Sequence, residues 1–312
     1  MGTLEAALGL IGNSDASGQV GRRVAGRLAR QGLRQRLLVQ DRSQAPELPH
    51  SEVAPISDYG DTESMRKALA GVDTLLLIPI KEHPERVRLH QTAIDAAVAA
   101  GVRRIVYSSF LAAAPDATFT FARHHCATEQ HIRSTGVAFT FLRGSAFLEV
   151  LRWIIGADGV IRGPAGDGRL APVARDDLAE VAAAVLTADG AHDGQTYAVT
   201  GPERLSLQQV AEAFALVTGR PISYVDEPLE QAWASRRTSG APDWQVEAWV
   251  TTYLQIANGE LDLISDTVPR LTGHPAMSLA GYLAAHPESA ATGGGAGRRR
   301  RWPRRARRRP AW

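Results

Sequence analysis

Gly12-Asn13-Ser14-Asp15-Ala16-Ser17-Gly18-Gln19-Val20-Gly21 is a glycine-bearing turn between an apolar run, Ala6–Ile11, and a helical pattern, Val20–Gln31. A Rossmann βαβ unit receives a pyrophosphate at such a turn. Backbone N–H groups and the positive end of the helix dipole face the anion, and residues without a Cβ let it approach. Asp41 ends the next apolar run, twenty residues past Gly21. That is the spacing of a carboxylate that accepts from a ribose hydroxyl.

The rest of the first half repeats the rhythm. Strand candidates are Ala6–Ile11, Arg36–Val39, Val53–Ile56, Thr74–Ile78, Arg104–Ser108 and Ala138–Leu142, with helical patterns at Val20–Gln31, Thr62–Ala70, Glu85–Ala100 and His124–Ser134. Leu75-Leu76-Leu77-Ile78 and Ile105-Val106-Tyr107 are apolar on both faces, as central parallel strands must be. Gly32, Gly71, Gly101 and Gly136 each follow a helical run, where a left-handed residue closes the helix. The pattern predicts an α/β fold: a Rossmann-type parallel sheet of about six strands with a smaller, mostly helical C-terminal lobe. The cleft is expected at the carboxyl ends of Ile11, Ile78 and Ser108.

Past residue 150 the rhythm changes. Arg162–Gly168 reads as loop, Arg175 opens a helix through Leu186, a strand lies around Tyr197–Thr200, and Ser206 caps a helix over Leu207–Thr218. Residues 1–150 are thus a dinucleotide-binding domain. Residues 151–289 form a substrate-side lobe that returns to the main sheet, and residues 290–312 are an Arg-rich tail.

The chain has 312 residues, 44% of them apolar and 22% charged, enough to bury a sizeable core. No apolar run reaches the roughly 18 residues of a membrane span, and the first ten residues lack the basic start of a secretory signal. One cysteine, Cys126, excludes an internal disulfide framework, fits a reducing cytoplasm and reads as a buried apolar group. The formal net charge is +2, yet the last fifteen residues hold nine arginines and no acid, so the remaining body carries −7. An acidic body does not suit nucleic acid; the tail alone could bind it. The tail follows Ala290-Ala291-Thr292-Gly293-Gly294-Gly295 and has no apolar periodicity. Deleting residues 291–312 is therefore expected to leave the melting temperature and any reductase activity nearly unchanged while abolishing any affinity for DNA. Unfolding of the truncated protein, or an equal salt slope of DNA binding, would assign the tail a structural role or the body a basic face.

The chain resembles the NmrA-like branch of the atypical short-chain dehydrogenases, and within it the NAD(P)H:quinone oxidoreductase-like members. The resemblance spans about residues 6 to 287. It rests on Ser17-Gly18-Gln19-Val20-Gly21-Arg22, Ala68-Leu69-Ala70-Gly71-Val72-Asp73, Ala99-Ala100-Gly101-Val102 and His125-Cys126-Ala127-Thr128-Glu129. It continues through Thr140-Phe141-Leu142-Arg143, Gly163-Pro164-Ala165-Gly166-Asp167-Gly168, Arg175-Asp176-Asp177 and Leu271-Thr272-Gly273-His274-Pro275. It implies NADP or NAD as cofactor, NADPH slightly preferred, held by Ser14, Asp15, Gly18, Gln19, Val20, Gly21, Asp41, Asp58, Tyr59, Ile78, His125 and Arg143. Asp58 and Tyr59 would meet the adenine. Three departures stand out. Ser14 and Asp15 replace the Thr-Gly that opens the family turn, which puts a carboxylate and its Cβ where a glycine is usual. Gln40 stands where NADPH-using relatives carry an arginine, with Arg22, Arg23 or Arg42 as substitutes. Phe121 and His125 fill the positions of the family's catalytic Tyr and Lys.

A quinone takes a hydride directly from a nicotinamide and needs little acid help, so loss of the Tyr suits that substrate. The expected catalytic groups are His125, able to donate to a quinone oxygen or orient the ribose, and Ser109 at the carboxyl edge. A solvated helix histidine, a strand-end cap and, for Arg143, a structural ion pair are the plainer accounts of these residues. No Gly-x-Ser-x-Gly elbow and no metal-ligand spacing is present. The expected function is NAD(P)H-dependent reduction of a quinone or related aromatic carbonyl, with a homodimer left open. Two other readings remain: a dinucleotide-sensing regulator without turnover, and a non-redox enzyme acting on an aromatic substrate.

Overall fold

The structure is a computed structural model that describes residues 9–288. The start of the first expected strand and the Arg-rich tail lie outside the described residues.

Strand and helix alternate as β1 (Ile11–Asn13), α1 (Gln19–Arg30), β2 (Gln35–Val39), β3 (Ser51–Pro55), α2 (Thr62–Leu69), β4 (Thr74–Leu77), α3 (Arg86–Ala99), β5 (Arg104–Phe110), α4 (Thr120–Ser134) and β6 (Ala138–Gly144). Next come α5 (Leu148–Leu151), β7 (Val160–Gly163), β8 (Arg169–Leu170), α6 (Arg175–Leu186), β9 (Thr196–Val199), β10 (Leu205–Ser206) and α7 (Leu207–Thr218). The last elements are β11 (Ser223–Asp226), α8 (Leu229–Arg237), α9 (Asp243–Ala257), α10 (Thr267–Thr272) and α11 (Leu279–Ala285).

The main sheet has seven strands in the order β3-β2-β1-β4-β5-β6-β9. Every pairing in it is parallel. Six strands are those read in the first half of the chain; the seventh, β9, is the strand read around Tyr197–Thr200, which pairs with β6 and brings the C-terminal half back to the sheet. Strand order reverses between β1 and β4, which opens a crevice at their carboxyl ends, the place where open α/β sheets take ligands.

Apolar residues of α1 and α6 (Val24, Leu28, Val181, Val185) cover one face of the sheet. Those of α2, α3 and α4 (Met65, Leu69, Ile94, Ala97, Ile132) cover the other. A third cluster, with Leu207, Phe214, Ile256 and Tyr282, is the core of the lobe. Gly32, Gly71, Gly101 and Gly136 take the left-handed backbone that the pattern asked of them. Ser206 caps α7 in a reciprocal capping box with Gln209.

Two local expectations are corrected. Helix α4 begins at Thr120 rather than His124, because α9 holds its first turn: Arg123 pairs with Glu247 (3.0 Å). Arg162 and Gly163, read as loop, belong to β7, which pairs with β11. The glycine is required there by packing, since a Cβ on Gly163 would lie 2.1 Å from the Tyr253 ring. No helix among the described residues is long and apolar enough to cross a membrane.

Candidate dinucleotide and acceptor site

The turn after β1 is stapled to the first turn of α1 by a side chain. Asn13 Nδ2 donates to Gly21 O (2.8 Å), and Asn13 Oδ1 accepts from Asp15 N (3.3 Å). Gly18 N donates to Asp15 O (2.9 Å). No side chain caps α1, so the first-turn N–H groups keep their capacity for an anion. Gln19 is exposed and holds Arg23, and Val20 anchors α1 in the core. Gly12 lies inside β1 against Val72 and is a packing residue, not part of the phosphate turn.

The glycines of the turn are there for close approach. A Cβ on Gly21 would lie 2.0 Å from the Asp15 carbonyl oxygen, and one on Gly18 would lie 1.7 Å from Asp15 Oδ2. Gly21→Ala meets backbone and must shift the turn. It is expected to weaken dinucleotide binding at least tenfold and to cost about 1–3 kcal/mol in stability. A fluorescence titration and a thermal melt check this; unchanged affinity would show that the turn moves aside freely.

Asp15 brings charge but no backbone strain. The non-glycine residues with left-handed φ among the described ones are His50 and Asp189, so Asp15 holds this position without the backbone that would require a glycine. Its carboxyl group packs against Gly18 at the helix start. Burial pushes its pKa up to about 6, against a smaller opposing effect of Lys81.

Ser14 and Tyr59 pin the floor of the crevice. Tyr59 is buried, and its hydroxyl lies 2.6 Å from Ser14 Oγ and 2.8 Å from Ile78 O. Ile78 N donates to the same Ser14 Oγ (2.8 Å). The phenol thus ties the ends of β1 and β4 together, with its oxygen inside the protein. Asp58 is in an exposed turn, accepting from Gly60 N (2.6 Å).

On the ribose side, Asp41 follows β2 and is fully exposed. Hydrogen bonds from the Ser43 side chain and backbone, then from Gln44, hold its carboxyl below the usual range. Arg22 donates to Gln44 O (3.0 Å), which brings it to this loop, where Arg42 is also exposed. Arg23 is drawn away to Gln19 and Asp176. Of the three arginines, Arg22 and Arg42 flank the Asp41 loop.

At the expected catalytic positions the structure makes a correction. His125 is buried, and both ring nitrogens are engaged within the protein: Nε2 with Arg86 Nη2 (3.0 Å) and Nδ1 with the Tyr107 hydroxyl (2.8 Å). A guanidinium has only hydrogens to offer, so Nε2 accepts and Nδ1 carries the proton toward Tyr107. Burial, then the Arg86 charge, hold the imidazole well below its ordinary pKa, so it is neutral. It therefore has no free donor for a quinone oxygen. Ser109 is buried as well: its hydroxyl donates to Glu129 Oε1 (2.6 Å). Arg143 grips the same carboxylate through Nε (2.9 Å) and Nη2 (2.6 Å). Ser109 and Arg143 are register partners on β5 and β6, which is why one acid on α4 serves both.

The residues that sequence reasoning missed are Arg86, His90, Tyr107 and Glu129. Arg86 and His90 carried a legible signal: they fall in the helical period of buried Ala93, Ile94 and Ala97. His90 Nε2 accepts from Ile80 N (3.1 Å), and its Nδ1 meets Thr128 Oγ1 (3.0 Å). No group of three or more His, Cys, Asp or Glu among the described residues could hold a metal ion.

The NAD(P)H-binding family model matches residues 16–189, more than half of the chain. The chain belongs to the NAD(P)H-binding family. It is 33% identical over 275 residues to the NAD(P)H azoreductase of Xenophilus azovorans, covering 86% of this chain and 95% of that protein. With quinone oxidoreductase 2 of Escherichia coli it shares 33% over 229 residues, 72% of this chain and 79% of the relative. The crystal structure of the Escherichia coli NADPH-dependent quinone oxidoreductase complexed with NADPH superposes with a TM-score of 0.78 at 29% identity, covering 88% and 98% of the two chains. These findings agree with the resemblance and with the parallel Rossmann-type sheet. In this family member the turn, the Asp41 loop and the β4 end lie at one edge of the sheet, as a dinucleotide-binding site requires.

Proposed function

We propose that this protein is an NAD(P)H-dependent reductase of quinones and related aromatic acceptors. The observation that carries this reading is the neutral, internally engaged His125 one helical turn from Phe121. The site has no phenol–ammonium relay with which to protonate a simple carbonyl. A quinone needs none, because its aromatic product accommodates the negative charge until water supplies a proton. The relatives named for azo and quinone reduction support the same substrate class.

The residues present fit the cofactor. The uncapped start of α1, walled by Gly18 and Gly21, suits the pyrophosphate. Asp41, whose carboxyl is held below the usual range, would accept from a ribose hydroxyl, and Arg22 and Arg42 would offer a 2′-phosphate two cations despite Gln40. Asp58 is left for the adenine amino group, while Ser14 and Tyr59 hold the strand ends over which the dinucleotide would lie. Ile78, buried just past the carboxyl end of β4, would line the cofactor crevice. When bound, the reduced nicotinamide supplies a hydride. A reducing, cytoplasmic setting suits the single thiol, which is buried and whose pKa burial pushes up.

The test is a titration with NADPH and NADH by protein fluorescence, followed by turnover with 1,4-naphthoquinone. Binding with turnover is the expected result. Binding without turnover would favour the sensing regulator, and no binding of either dinucleotide would favour the non-redox enzyme.

A further inference from the structure

Arg86 opens α3 and is 4% exposed, yet none of the ion pairs among the described residues includes it. Its Nε donates to Ile80 O (3.1 Å) and its Nη2 to His125. The guanidinium stands 5.3 Å over the Phe121 ring. Its Nη1 is buried without a partner. The His124 ring also packs on Phe121, with centroids 5.4 Å apart, and its Nδ1 is buried without a partner. Two side chains with an orphaned polar atom thus lie against one aromatic residue.

A buried guanidinium with unpaired N–H groups and no carboxylate is costly, and a fold retains such a group when something it binds repays the cost. His90, His124 and His125 are each pushed down by burial first and by the Arg86 charge second, His124 to about 4. Arg86 is therefore the charge of this cluster at neutral pH. Exposed Glu82, in the loop before α3, acts on it from outside.

We propose that Arg86 Nη1 and His124 Nδ1 form an oxygen-binding site beside Phe121 for an aromatic acceptor bearing a carbonyl or an ionised ring hydroxyl. This rests on the reductase reading above. The cation that the family resemblance places on α4, at position 125, is supplied instead from α3. When NAD(P)H gives its hydride to a quinone, two electrons and one hydrogen pass to the quinone. One quinone oxygen is left anionic until it takes a proton from water, and Arg86 is the donor placed to stabilise it.

The test needs no turnover. Binding of 2-hydroxy-1,4-naphthoquinone, an anion at neutral pH, and of neutral 1,4-naphthoquinone is measured by calorimetry with NADP+ present; NADP+ is also titrated alone. Arg86→Gln is expected to weaken the anion at least tenfold, about 1.4 kcal/mol, to weaken the neutral quinone less, and to leave NADP+ within twofold. Arg86→Lys should retain the preference for the anion. Unchanged anion binding overturns the proposal, and so does an equal loss for NADP+, which would assign Arg86 to the cofactor. Should Arg86→Gln fail to fold, His124→Ala carries the test: a threefold or greater loss for the anion with NADP+ unaltered supports the site, and no loss overturns it. A wild-type protein that binds the anion but oxidises NADPH with no quinone would sink the reductase reading while the binding comparison still stands.

Discussion

Asp15→Asn is expected to tighten NADPH binding about tenfold at pH 7.5 and hardly at all at pH 5. The carboxyl packs at the start of α1, where the pyrophosphate is to be held, and its pKa is raised to about 6 by burial. At pH 7.5 it is ionised and opposes a second anion. Two unit charges about 5 Å apart at an effective dielectric near 20 repel by roughly 3 kcal/mol before screening, so a tenfold effect is a conservative expectation. Bound phosphate raises the pKa of Asp15 further, so wild-type affinity should fall as pH rises above 6 and level off once the complex is also ionised. Asn at this position should give affinity flat over the same range, and Asp15→Gly should match it, since no left-handed backbone is at stake. The acid also affects stability. Its folded pKa lies above the ordinary value, so the native state holds the proton more tightly, and stability is lost as pH rises from about 4 to 6. Asp15→Asn should therefore raise the melting temperature at pH 7.5 and not at pH 4. Calorimetric titrations and melts at the two pH values check both statements. An affinity for NADPH that is independent of pH in the wild type would show that the carboxyl turns away from the phosphates.

Glu129→Leu is expected to lower stability by about 3 kcal/mol, the lower end for breaking a buried pair, because Arg143 keeps some contact with solvent. Glu129 is 3% exposed and accepts from Ser109 and twice from Arg143. Without it, a half-buried guanidinium and a buried hydroxyl lose their acceptor together. For a domain of this size the melting temperature should fall by roughly 6–12 °C. The triple replacement Ser109→Ala, Glu129→Leu, Arg143→Met should recover most of the loss, since apolar groups of similar volume need no partners. Differential scanning calorimetry decides the matter. A shift under about 2 °C for the single variant would mean that the three groups are not a structural unit and would return Ser109 to the catalytic candidates and Arg143 to the cofactor contacts.

The elements set by local rules were legible in the chain itself. The alternation of apolar runs with helical periods gave the parallel sheet, because a strand buried on both faces and a helix packed on it leave different periods. Gly32, Gly71, Gly101 and Gly136 marked helix ends because a left-handed residue is a property of single positions. The carboxylate that Asp15 brings to the phosphate turn was legible as well, because a residue's charge is a property of a single position. What the tertiary structure alone decided is which polar groups meet. His125 and Arg86 are 39 positions apart and Tyr59 and Ser14 are 45, so neither pairing leaves a trace in any local period. The register of β5 on β6 sets Ser109 beside Arg143, and only then does Glu129 on α4 become their shared acceptor. A histidine that looked free to donate thus turned out to accept from a buried arginine. Burial and partnership fix a side chain's protonation and its free hydrogens, and both belong to contacts made across the sheet.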